Sequence, residues 1–468
     1  MLAVLGAGFS GAVVAARALE SSRCPLRVLL INRSGRMARG AAYGTRTEAH
    51  VLNVPAGRMS AYPEDEDDFL RYAQARTCGV TGGAFLPRRL YGEYLEWLLE
   101  RAVARARPGV ILERIVGEAV AIEPVAAESH ARMLLSDGTS IRADRVVLAV
   151  GNYAPADPEG IESAVLDSHR YVGDPWRQGA LEGLSADGDV VLLGTGLTMI
   201  DAVLSLHARG LRMQMHAVSR RGLLPLSHRV PALPPTFAHR PPDIEDGPAS
   251  ARAYLRSVRR HVALLAVDGI DWRDVVGALR PITPALWRRL PMPERRRFLR
   301  HVRPYWEVHR HRIAPELASA FRRLLETGAV QVHAARLLGA CEYRDRLRIS
   351  IRRRGSTEVQ QIEASHLVNC TGPQTDLRNI RDPLMTMLGS RRLIRPDALG
   401  LGLETADHGA LIDADGRASE ILFHVGPLLR ATEWEAVAVP ELRLHAAALI
   451  SRLIAELESP LFRGRVSA

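Results

Sequence analysis

The sequence predicts an α/β chain carrying two strand–glycine turn–helix units, with a helical insertion in the second. Three observations carry this reading. An apolar strand at the start runs directly into Gly6-x-Gly8-x-x-Gly11, and a second apolar strand runs into Gly194-x-Gly196 near the middle. Between the early and late strands of the second unit lies an insertion at about 225–330, proline-rich and loop-like to 250, then helix-patterned and rich in arginine.

In the first unit, Met1 to Leu5 reads as a strand, Ala12 to Glu20 as an alanine-rich helix, and Leu26 to Asn32 as a buried parallel strand by its near-continuous apolar run. This is a βαβ unit of the Rossmann type. Gly6 permits the tight turn, Gly8 a close approach of backbone to a pyrophosphate, and Gly11 close packing of helix on strand. The helix N-terminus, with Phe9 and Ser10, offers free N–H groups and a positive dipole end to phosphate. A GxGxxG alone is weak evidence; its place between a strand and a helix supplies the required context. The end of the second strand departs from the pattern. An acid there ordinarily binds ribose hydroxyls, whereas this chain has Asn32 followed by Arg33, a residue suited to a 2′-phosphate.

Further along, helices are expected at about 65–76 and 91–105, and short strands over 110–150 with a hairpin turn at Asp137-Gly138. Arg145 to Gly151 closes this part as a strand ending on glycine. The second unit runs from Asp189: a strand Val190 to Leu193, the turn Gly194-Thr195-Gly196, a helix through Leu197 and Thr198 to about Arg209, and a strand Met213 to Val218. Met199 replaces the third glycine, so helix and strand should pack less closely. Ser219-Arg220-Arg221 follows with no acid, which favours a 2′-phosphate and hence NADPH over NADH; a solvated basic turn is the alternative. Strands return at about 331–336, 346–352 and 358–369, the last ending Asn369-Cys370-Thr371-Gly372, and a helix from about Pro440 to Leu457 ends the chain. Cys370 reads better as a buried strand residue than as a reactive thiol.

Composition excludes much. All 62 basic residues are arginine, so Schiff-base and lysine-nucleophile chemistry is out. The net charge is +10, but acids are interspersed with the arginines and no basic tail exists, which argues against nucleic acid. Cysteines 24, 78, 341 and 370 contain no CxxC pair, so neither a zinc site, a disulfide framework nor a dithiol redox pair is expected. No metal is expected. No signal peptide and no long uncharged apolar run is visible, and a cytoplasmic chain with no membrane partner is the expectation.

Several stretches together resemble the bacterial FAD/NAD(P)-binding protein family, a relative of the flavin-containing and N-hydroxylating monooxygenases. They are Gly6 to Gly11, Gly40 to Thr45, His50 to Ser60, Pro87 to Gly92, Gly194 to Asp201, Ser219 to Pro225, Arg303 to Arg312, Asn369 to Pro373, Gly426 to Leu428 and Trp434-Glu435. The family usually has Glu or Asp at the position of Asn32. The resemblance implies a glutathione-reductase-like architecture of two Rossmann-like domains: an FAD domain over 1–155 and 370–468, and an NAD(P) domain over 156–369. It implies FAD against Gly6, Gly8, Phe9, Ser10, Gly11, Asn32, Arg33, Tyr43, Asn53, Val54, Met59, Ser60, Gly151, Gly372, Gly426 and Pro427. NADPH, or NADH, would lie against Gly194, Gly196, Leu197, Thr198, Ser219, Arg220 and Arg221. The helix near Pro440 would aim its positive end at the flavin.

The implied reaction is oxygenation of a small molecule, an amine or amino-acid nitrogen among the options, by O₂ through a flavin C4a-hydroperoxide. A flavin reductase without oxygenation, or a non-catalytic nucleotide-binding redox sensor, are the alternatives. Because a cofactor carries such chemistry, conspicuous catalytic side chains are not required. The candidates are His309, Arg310 and Asn53. On a continuous helix Glu307 and Arg310 would share a face, as would Val308 and Arg312; a structural ion-pair network explains the cluster equally well.

Overall fold

A computed structural model describes residues 1–125, 130–184, 188–211, 213–230 and 237–460. The chain divides into two compact units, one formed by Met1–Arg46, Pro55–Tyr153 and Thr375–Ala468, the other by Thr47–Val54 and Ala154–Gln374.

The first unit is built on a six-stranded sheet. Its strands lie in the order Ala410–Ile412, Ala418–His424, Arg145–Leu148, Leu2–Leu5, Leu26–Asn32, Val110–Val116. All neighbours are parallel except the first pair. Leu2–Leu5 and Arg145–Leu148 are wholly buried, which is why they read as continuous apolar runs rather than alternating ones. The helix Phe9–Ser21 is buried from Phe9 through Ala16 and packs on the helices Arg88–Arg105 and Val439–Glu458. Its alanines and valines let neighbouring helices come close on several sides. Asp137-Gly138 turns a three-stranded antiparallel sheet, Ala119–Val125, His130–Leu135 and Ser140–Ala143.

The second unit holds a seven-stranded sheet in the order Val359–Ala364, Arg346–Arg353, Val330–Tyr343, Met215–Ser219, Val190–Leu193, His366–Asn369, Tyr171–Val172. Two expectations are corrected here. The single strand read over 358–369 is two strands with different neighbours. Ser365 divides them, its N–H and hydroxyl both donating to the Asp189 carbonyl at 2.8 and 3.0 Å. The strand read over 331–336 continues to Tyr343, because a register shift at Leu337/Gly339 breaks the alternation without ending the pairing. Met199 is fully buried in this unit's core, so the helix Leu197–Ala208 accommodates a side chain where the first unit has glycine.

The helices of the insertion run from Ala251 to Glu326. Ser250 and Asp271 cap two of them by accepting backbone N–H groups of Ala253 and Arg273. Met292–Arg297, a π-turn Phe298–Val302 and Arg303–Arg310 follow one another without a break. The helix stops at Arg310, since His311 adopts φ −95°, ψ 82°. Arg312 therefore lies outside it, and the expected Val308–Arg312 face does not exist. Glu307 pairs with Arg303 at 3.3 Å and His311 at 3.1 Å, one helical turn away on each side.

Candidate dinucleotide sites and an arginine cluster

In the first unit the glycine turn is held against the centre of the sheet. Gly6 has φ +100°, and a Cβ there would stand 2.3 Å from the Ala149 carbonyl oxygen. A Cβ on Gly11 would stand 1.8 Å from the Gly6 oxygen. Gly8 is the N-cap of Phe9–Ser21, with no side chain capping the helix, so its first N–H groups are available to an anion. Gly40 approaches so closely that a Cβ there would lie 2.9 Å from the Gly8 Cα. Gly151 carries positive φ just beyond its strand; Gly372 does too, but it clusters with the second unit rather than the first.

Two buried polar atoms near this turn lack partners. His424, only 1% exposed, ends its strand. Its Nδ1–H donates to the Leu148 carbonyl at 2.8 Å, the Gly426 backbone lies alongside the ring, and the buried Nε2, left as an acceptor, makes no hydrogen bond. Burial pushes the imidazole down to about 4, so it is neutral at neutral pH. The ring faces the Cα of Gly426, on the side where the Ser10 hydroxyl also lies. The Tyr91 hydroxyl is the second such atom; its ring stacks with Phe9 and sits 4.6 Å from Tyr43, centroid to centroid. Buried polar groups ordinarily find partners, so these atoms suit a ligand that supplies hydroxyl or amide groups.

The other residues expected here divide. Asn32 donates its amide to the Ser34 hydroxyl and the Arg36 carbonyl, at 3.0 and 2.8 Å, which leaves its amide oxygen to accept from a ribose hydroxyl. Arg33 turns to Glu118 and Asp382, at 3.4 and 3.8 Å, so its charge is met by carboxylates of its own unit. Met59 is buried, and the buried Ser60 donates its hydroxyl to the Asp65 carbonyl at 2.6 Å. Gly426, with φ +140°, precedes the 3₁₀ turn that Pro427 opens. Asn53 and Val54 cluster with the second unit.

In the second unit Gly194 repeats the role of Gly6, with φ +110° and a Cβ position 2.4 Å from the Cys370 oxygen. Gly196 is the N-cap of the helix that Leu197 and Thr198 begin, and a Cβ there would meet nothing within 4 Å. The Ser219 and Thr195 hydroxyls bond at 2.8 Å, and Ser219 also accepts from the Gly222 N–H, fixing the loop after the strand. Arg220 is exposed at this strand end, while Arg221 donates to the Arg300 carbonyl and lies over Tyr305. The Cys370 thiol is buried and pushed far above its usual range by desolvation, which makes it unreactive.

Two of the three catalytic candidates, Asn53 and Arg310, lie in the second unit beside a residue that the sequence did not single out. His228 donates through Nε2–H to the Asn53 carbonyl at 3.0 Å. Burial, then the charges of Arg312, Arg310 and Arg273, pushes it down to about 4. His309 donates Nδ1–H to the Tyr305 carbonyl and meets Trp272 edge-on at 4.9 Å. Arg310 is buried at the helix end. Among the described residues, no cluster of His, Cys, Asp and Glu suits a metal, all four cysteines are free, and no helix is long and apolar enough to cross a membrane.

Comparison with known proteins agrees with this fold. Residues 3–153 match the family model described as FAD-NAD(P)-binding. An uncharacterized protein of Mycobacterium tuberculosis is 23% identical over 409 residues, covering 81% of this chain and 74% of its own. Among solved structures, the ornithine N-hydroxylase of Kutzneria sp. 744 is similar over 98% of this chain and 99% of its own, at 16% identity and a TM-score of 0.63. L-lysine 6-monooxygenase from Pseudomonas syringae is similar over 97% and 98%, at 16% identity and 0.65. The FAD-bound cadaverine monooxygenase of Erwinia amylovora is similar over 97% and 94%, at 14% identity and 0.65. The fold class expected from the two glycine turns stands.

Proposed function

We propose that the chain is an FAD-dependent, NADPH-consuming monooxygenase that places one atom of O₂ on a small molecule, an amine or amino-acid nitrogen being the favoured acceptor. The observation that carries this is the first glycine turn, where an uncapped helix N-terminus is joined by two buried polar atoms without partners. FAD supplies phosphates, hydroxyls and amide groups in one ligand. In this reading the helix starting at Phe9 binds the pyrophosphate, the Asn32 amide oxygen takes a ribose hydroxyl, and His424 Nε2 accepts a further cofactor hydrogen. Because Glu118 and Asp382 already meet Arg33, that turn suits a dinucleotide without a 2′-phosphate. In the second unit Arg220 is exposed, without a carboxylate partner among the described residues, at the strand end where a 2′-phosphate is read. When bound, the two cofactors supply the electron transfer and oxygen activation; the protein orients them and excludes water. The fold shared with three monooxygenases acting on amine nitrogen or on amino acids supports the reaction class.

Arg220→Ala is expected to raise KM for NADPH about tenfold or more while leaving KM for NADH nearly unchanged, because one charge-assisted phosphate contact is lost. Equal effects on both would remove Arg220 from cofactor selection. The reaction itself is tested by the visible spectrum of purified protein, its bleaching by NADPH, and O₂ uptake with a panel of amines and amino acids. Product oxygenated in proportion to NADPH consumed supports the monooxygenase. NADPH oxidation that yields only hydrogen peroxide with every compound leaves a reductase, and a colourless protein that FAD does not reconstitute leaves a nucleotide-binding scaffold.

A further inference from the structure

Charge accounting within the arginine cluster leaves the Arg312 guanidinium without a carboxylate of its own among the described residues. Arg229 grips Asp274 through both terminal nitrogens, at 2.7 and 2.6 Å. Arg273 holds Asp271 at 3.2 and 3.1 Å and donates its Nε to the Ser227 carbonyl. These two arginines and two aspartates balance. Arg312 stands beside them, and among the described residues it has no carboxylate partner; its Nε is buried with no hydrogen bond. Burial, then the neighbouring Arg310 and Arg273, pushes the guanidinium down to about 10 against the opposing pull of Asp271, which Arg273 already holds, and it stays charged at neutral pH. His228, held neutral and tied to Asn53, adds no counter-charge. The Trp272 ring lies along one side, 5.8 Å from the Arg312 Cζ and 4.4 Å from that of Arg273.

A desolvated cation without a partner is costly, and proteins keep one where a ligand completes the pair. Arg312 presents one planar fork with a single charge, which one carboxylate meets bidentately and balances. A phosphate also has its own candidate at the exposed Arg220. We propose that Arg312, with Arg310 beside it and the Trp272 ring as a wall, receives the carboxylate of a small organic acid. Resting on the oxidoreductase reading above, this makes the substrate an amino acid or related acid rather than a simple amine.

The test is calorimetric titration of the purified, FAD-loaded protein with succinate, L-glutamate and L-ornithine, with and without saturating NADP⁺, and with inorganic phosphate as competitor. At least one acid is expected to bind, to keep its affinity under NADP⁺ and phosphate, and to lose about ten- to a hundredfold in Arg312→Gln. Arg312→Met, which keeps much of the stem but no charge, is expected to melt at or above the wild-type temperature without ligand, because a partly buried charge with no carboxylate of its own is gone. Failure of all three acids to bind, unchanged affinity in Arg312→Gln, or a sharp loss of ligand-free stability in Arg312→Met overturns the proposal. Displacement of the acid by NADP⁺ and phosphate overturns it too, assigning the cluster to the nucleotide. Acid binding through Arg312 in protein that takes up no flavin sinks the oxidoreductase reading and leaves the anion site standing.

Discussion

Alanine at Gly6 is expected to abolish flavin retention and to cost about 3 kcal/mol or more of stability, among the larger effects of a single substitution. The added Cβ would meet the Ala149 carbonyl at 2.3 Å, and Ala149 directly follows a central strand of the first sheet. That backbone cannot retreat without breaking pairings on both sides, and φ +100° is itself unfavourable for alanine. Urea unfolding, with flavin content measured after gel filtration, checks both effects. Gly196→Ala is the contrast. That glycine faces open space at negative φ, so alanine there is expected to change stability by only about 1 kcal/mol and to weaken NADPH binding instead. A yellow Gly6→Ala protein of near-normal stability would remove the first turn as the flavin cradle.

Acid is expected to weaken the first unit through His424. Its folded value of about 4 lies below the ordinary 6.5. Above 6.5 neither the folded nor the unfolded chain holds the proton, and the full stability is present. Between 6.5 and 4 the unfolded chain takes a proton that the folded one refuses, so stability falls as pH falls. At about 1.4 kcal/mol per pH unit the loss reaches roughly 3 kcal/mol. His228, also held near 4, acts with the same sign in the second unit. His424→Asn keeps a donor for the Leu148 carbonyl and does not titrate. Its unfolding free energy should decline less steeply between pH 6.5 and 4, by the equivalent of one proton. Identical slopes would show that the imidazole is not held neutral.

The parts of this molecule legible in its sequence are those in which backbone and burial act locally. Leu2–Leu5 and Val190–Leu193 announce buried parallel strands because both faces are covered, and the turns after them need glycine where a Cβ would strike a carbonyl. The division at Ser365 was hidden because Val359–Ala364 and His366–Asn369 are both apolar enough to read as one strand. The helix end at Arg310 was hidden because His311-Arg312 continues the arginine-rich pattern. The site residues missed were those defined by distant partners: nothing near His424 in the sequence says that it bonds Leu148, and nothing near Arg312 says that Asp271 and Asp274 are already taken. Asn53 and Val54 belong to a short segment, Thr47–Val54, that clusters with the second unit although the residues on either side build the first.

The packing of the helix Phe9–Ser21 against Val439–Glu458 sets an order of events during synthesis. The second unit is complete once Gln374 has emerged, whereas the first began earlier and must wait for the last helix. Until then the alanine- and valine-rich face of Phe9–Ser21 that meets Val439–Glu458 stays uncovered on the ribosome. The helix Phe9–Ser21 is thus made well before the helix that completes its burial, and chaperone demand should rise with the time taken to translate from Gln374 to Glu458.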